Sequence, residues 1–102
     1  MTDIAAARRA LLACMLDADG AAPKAQRRAA FENAGVTGPV RTLLEKITRD
    51  AHRVSDDDVH AARACGQTED QLFELATCAA VGQANRQYES AMAALAQASG
   101  KE

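Results

Sequence analysis

The residues able to do chemistry are few and loosely spaced. His60 lies one helical turn after Asp56, with His52 nearby, an arrangement that could supply a general acid or a weak metal site. Two histidines and one carboxylate at that spacing fall short of a ligand set, so no metal and no cofactor is expected. Cys78 follows Glu74 by four residues, which puts thiol and carboxylate on one face of a helix. The other two cysteines, Cys14 and Cys65, form no CxxC and no paired pattern with it, and an odd number of thiols argues against a disulfide scaffold. Arg63 and Arg86 are the candidate anion-binding groups. No catalytic motif is complete.

The elements that must carry these groups are helical. About a quarter of the 102 residues are alanine, with one Tyr, two Phe, no Trp and two Pro, and β-branched residues are sparse. The chain reads as one all-α domain of about five helices, residues 1–53 being supporting helices and 54–97 a capped helix pair. A domain this short buries only about 60–65% of its unfolded surface, so self-association into a homo-oligomer would complement a marginal core. The formal charge of −2 divides into +3 for residues 1–53 and −5 for 54–102. That balance gives no electrostatic case for nucleic acid. Neither the short apolar run near the N-terminus nor any later stretch reaches membrane-spanning length, and a reduced, cytoplasmic protein is expected.

Thr2 and Asp3 are placed to cap a first helix with apolar positions Ile4, Ala7, Leu11, Leu12, Met15 and Leu16. Pro23 opens a second helix in which Ala30, Phe31 and Ala34 are expected inside and Lys24, Arg27 and Arg28 outside, with Gly35 as its close. A third carries the stripe Val40, Leu43, Leu44, Ile47, Ala51, with Glu45 and Arg49 as a solvent-side pair. Ser55 with Asp58 predicts a capping box for a fourth helix ending at Gly66, and Val54 faces Val59 as a staple. Thr68 with Gln71 predicts a second box, opening a fifth helix to about Ala96. Apolar almost all round at Leu72, Phe73, Leu75, Ala76, Ala79, Ala80 and Val81, that helix is expected to be buried. The terminal SGKE reads as disordered.

The stretch VSDDDVHAARACGQTEDQLFEL followed by CAAVGQANRQYESAMAAL resembles the carboxymuconolactone decarboxylase and alkylhydroperoxidase D-like superfamily. The likeness rests on a short helix ending in A-x-G, a capped turn of the type x-[ST]-E-[DE], and a small-residue-rich helix with an Asn-Arg pair, here Asn85-Arg86. It implies a helical bundle and, in peroxidase members, the motif Glu-x-x-x-Cys-x-x-Cys-x-x-x-His, whose thiolate attacks peroxide. Aligned on Gly66, the four positions fall on Ile47, Ala51, Val54 and Asp58, none of which keeps the group the motif requires. A second overlay retains only Glu74 and Cys78, with Val81 and Asn85 at the remaining positions. Cys78 is then either a small buried hydrophobe or a reactive thiol that Cys65 could resolve. A lactone decarboxylase would need His60 as proton donor with Arg63 or Arg86 holding the anion, although Arg86 also suits an interhelical or intersubunit salt bridge.

The segment AAFENAGVTGPVRTLLEKI superficially resembles a DNA-reading helix-turn-helix. Phe31 stands where a small residue is needed and Pro39 falls inside the would-be recognition helix, so a DNA-binding regulator is the least favoured alternative. The expected protein is a non-catalytic binding or assembly module of this superfamily type, with a thiol peroxidase or decarboxylase using Cys78 or His60 as the competing reading.

Overall fold

The computed structural model describes residues 3–100 and contains five α-helices: α1 (Ile4–Asp17), α2 (Lys24–Glu32), α3 (Gly38–Arg49), α4 (Asp56–Ala64) and α5 (Glu69–Ala98), with a 3₁₀ turn at Ala51–Arg53. Asp3 caps α1 through its bond from the Ala6 N–H at 2.9 Å. Thr2, the other candidate cap, and Lys101 and Glu102 of the terminal SGKE lie outside the described residues. Ser99 and Gly100 close the last turn of α5 by backbone bonds to Leu95 and Gln97.

Both predicted capping boxes are formed. Ser55 Oγ accepts from the Asp58 N–H and Asp58 returns the bond to the Ser55 N–H, while Thr68 and Gln71 do the same for α5. Val54 and Val59 each pack against the core. Gly66 takes a φ of +102° just after α4, the left-handed conformation that lets the chain turn into α5 within four residues.

The core is built mainly from α3 and α5, with Val40, Leu43, Leu44, Leu72, Leu75, Cys78 and Ala79 buried beside Leu16, Ala22, Ala30 and Ala62. Helix α2 lies along α5 as the most extensive packing in the molecule. Its close approach is possible because Gly82 of α5 has no side chain: a Cβ there would fall 2.0 Å from the Phe31 carbonyl oxygen.

Several local expectations are corrected. Arg27 is only 4% exposed, since it faces the α1–α2 turn rather than solvent. Pro23 is the N-cap of α2 and precedes its first turn, while Asn33, with φ 55°, closes the helix two residues before Gly35. Ala34 is exposed. Ala51 is exposed because the chain tightens into the 3₁₀ turn after Arg49 and carries it off the α3 stripe. Glu45 bonds Arg41 at 2.9 Å, one turn earlier than expected.

The largest difference concerns α5. Only its first half is enclosed; Phe73 is 73% exposed, Ala80 faces solvent, and every residue of the helix from Gln87 to Ala98 is exposed. A 30-residue helix is about 45 Å long, which outruns four shorter neighbours. The molecule is accordingly elongated, 51 × 29 × 21 Å. Helix α1 runs antiparallel beside α5. Arg8 bonds Asn85, lies 3.9 Å from Glu89 and stacks 5.0 Å from the Tyr88 ring centre.

Candidate functional site

Glu74 and Cys78 stand one turn apart on the first half of α5 and line a cleft of about 270 Å³ together with Cys14, Met15, Arg27 and Thr77. The carboxylate is occupied. Its two oxygens accept from the Ala21 and Ala22 N–H groups, both at 2.8 Å. Gln71, one turn earlier, donates to the Ala21 carbonyl at 3.2 Å, so α5 grips the α1–α2 turn from two positions. Gly20 makes room for this, because a Cβ there would meet Glu74 Oε1 at 2.8 Å. The Ala22 and Ala21 amides hold the Glu74 carboxyl below the usual glutamate range, by bonds made to its charged form.

Arg27 completes the same joint from the other side. Its Nε donates to Ala22 O at 3.1 Å, Nη1 to Met15 O at 2.8 Å and Nη2 to Ala18 O at 2.6 Å. Those carbonyls belong to the end of α1 and the turn after it, where backbone acceptors lack helical partners. A guanidinium fork satisfies three of them and places positive charge at the negative end of α1. The sequence carries no side-chain signal for this role, since all three partners are backbone.

Cys78 is 1% exposed. Burial pushes its thiol up from the ordinary range, the Arg27 charge opposes that and the Glu74 charge adds to it. A thiol held in its neutral form is a poor nucleophile. Cys65 is exposed and lines a different cavity, and all three cysteines are free. Cys14, which the sequence did not single out beyond its count, is exposed at the edge of the Glu74–Cys78 cleft.

The other candidates are not brought to this cleft. His60 and Arg63 share a shallow basin on α4 and the turn after it, lined also by Gly66, Gln67 and Thr68. Arg63 there lies 3.4 Å from Glu69. His52 is exposed beside Asp50 at 3.7 Å. Arg86 makes an interhelical hydrogen bond rather than a salt bridge: Nη1 donates to Phe31 O at 2.6 Å, and Nη2 to Gln83 Oε1 at 3.1 Å. Asp58 bonds Lys46 Nζ at 2.9 Å as well as Ser55, and Lys46 first, then Ser55, lowers its carboxyl pKa. Among the described residues no three His, Cys, Asp or Glu side chains gather to hold a metal ion, and no helix is long and apolar enough to cross a membrane.

The arrangement defines an all-α bundle in which Glu74 and Arg27, at the cleft, are both bonded to backbone. Comparison with known proteins finds no match: no family model, no curated protein and no solved structure is similar to the chain.

Proposed function

We propose that the protein is a non-catalytic assembly module, an alkylhydroperoxidase D-like helical frame without the redox motif, which works as a homo-oligomer joined through α5. The observation that carries this reading is the overhang of α5. Beyond Gln87 the helix has no neighbour over most of its surface, yet Tyr88, Met92 and Leu95 recur along it at steps of four and three. Helix α1 adds Ile4 and Leu11, and all five side chains are between 46% and 69% exposed. They are five of the six large apolar side chains that the described residues expose, and apolar side chains gathered at one end of a molecule mark an interaction surface.

A second copy is the occupant that fits this surface. Two antiparallel α1–α5 pairs, each apolar on its outer side, stack into a four-helix arrangement with a two-fold axis. Isolated helical turns are marginal in water, and such stacking gives the last turns of α5 the packing they otherwise lack.

The silent-site part of the reading is supported by the commitments of the candidate groups: Glu74 to two amides, Arg86 to a carbonyl, Cys78 to the core. Light scattering after gel filtration tests the assembly, with a mass of at least twice 10.7 kDa expected and a clean monomer contradicting it. Replacing Leu95 by Glu is expected to return the protein to monomers. Thiol titration of the native protein tests the rest. Cys14 and Cys65 are expected to react slowly at pH 6–7 and Cys78 not at all; rapid consumption of peroxide would establish the thiol-peroxidase alternative instead.

A further inference from the structure

A cavity of about 510 Å³ opens away from both the Glu74 cleft and the overhang, between the first turns of α2, the α2–α3 turn and the α4–α5 turn. It is more enclosed than the His60 basin. We propose that this cavity binds a small, neutral, mostly apolar molecule that carries a hydrogen-bond donor, such as a phenol or an aliphatic alcohol. The inference is independent of the assembly reading.

Its volume falls in the range that small-molecule sites use, about 300–1,000 Å³. The walls decide the chemical class. Ala29, Val36, Pro39, Val40 and Leu75 supply an apolar lining, and no Asp, Glu, Lys, Arg or His lines the cavity, although 25% of the chain is charged. An ion entering there would lose hydration without gaining a counter-charge.

One polar group on the walls lacks a bond that a donor could supply, and a second is free to turn toward it. Gln67 lines the cavity, and its Oε1 is buried with no hydrogen-bond partner. A buried acceptor without a partner is uncommon in a folded protein, and rotation about the soft terminal torsion of the amide lets this oxygen meet an entering O–H or N–H. Thr37, on the opposite turn, occupies the N-cap position of α3 but makes no side-chain capping bond. The α2–α3 turn forms one wall of the space. Gly35 and Gly38 hold φ values of +87° and +68°, and a Cβ at Gly38 would meet nothing within 4 Å.

Phenol, anisole and benzoate share one ring and differ in the group that matters, so they form the test. Each is titrated into the ¹⁵N-labelled 102-residue protein while the amides of Val36, Thr37 and Leu75 are followed. Phenol is expected to shift them saturably, anisole to bind about fivefold more weakly for want of one net hydrogen bond, and benzoate to leave them unmoved. In the Cys14→Ser protein, phenol is also expected to slow alkylation of Cys65, which lines the same cavity. The Gln67→Leu variant should erase the preference for phenol over anisole. Absence of a saturable shift with phenol, or benzoate binding as well as phenol, overturns the proposal in the unmodified protein. A phenol preference that survives Gln67→Leu overturns the role given to that amide.

Discussion

Replacing Gly82 by alanine puts the packing of α2 on α5 to a direct test. A Cβ at this position falls 2.0 Å from Phe31 O, 2.7 Å from its carbonyl carbon and 2.9 Å from its Cα. Ordinary contact needs about 3.5 Å, and the obstructing atoms are backbone, so no rotamer change relieves the clash. The two helices must part, which overpacks or opens the joint at a cost of about 1–3 kcal/mol. The same movement stretches the 2.6 Å bond from Arg86, one turn along α5, to the Phe31 carbonyl, a charge-assisted bond worth about 1.5–3 kcal/mol. Against this, alanine is better than glycine in a helix interior by about 1 kcal/mol. The net expectation is a loss of about 2–4 kcal/mol, or a melting temperature lowered by about 10–20 °C for a domain of this size. Thermal and urea unfolding followed by circular dichroism measure it, with Ser90→Ala on the exposed part of α5 as the control. Arg86→Ala combined with Gly82→Ala should cost less than the sum of the two, because both act on one carbonyl. A Gly82→Ala protein as stable as its parent would show that α2 does not approach α5 at this point.

Glu74→Gln should leave a pH signature. The folded carboxyl titrates below its unfolded value of about 4.3, so its contribution is complete above that pH and disappears as pH falls through the lower folded value. The stability gap between parent and variant is therefore expected to be widest near pH 7 and to close in acid, which urea unfolding at a series of pH values checks. Arg27→Lys loses the fork that reaches three carbonyls and is expected to cost about 2–3 kcal/mol, whereas Arg28→Lys, at an exposed ion pair with Asp17, should change stability by less than about 1 kcal/mol. A chain ending at Ser90 should still fold cooperatively, since no later side chain enters the core, but light scattering should report a monomer and its melting temperature should lose the rise with protein concentration expected of the longer chain.

The turns were legible and the charged joints were not. Ser55 with Asp58, Thr68 with Gln71, and Gly66 between them carry local chemistry that fixes two helix starts and one stop, because each partner lies within three residues of the other. Arg27 reads as a solvent-face residue because helical spacing relates side chains to one another, and its partners are main-chain carbonyls. Glu74 looked like half of a redox motif for the same reason: its partners, two amides some fifty residues earlier, leave no trace in side-chain spacing. Gly82, a glycine inside an alanine-rich helix, leaves a faint trace that the apolar periodicity passes over, since such a glycine signals a packing reason without naming the partner. The exposure of Phe73 and of the second half of α5 was hidden because apolar periodicity states that a face is apolar and not whether its own chain is long enough to cover it.

The grip of Glu74 on Ala21 and Ala22 also ties two distant parts of the chain into one kinetic unit. These amides have their acceptor only when residue 74 has arrived, so the bend after α1 completes its hydrogen bonding through a contact of long sequence separation, whose loop-closure cost precedes its reward. Fraying of the first turns of α1 should leave them protected, and release of α5 should expose both at once. Their hydrogen exchange thus separates local from global opening, and makes the amides of two alanines in the bend after α1 the natural gauge of whether the helix fifty residues away is in place.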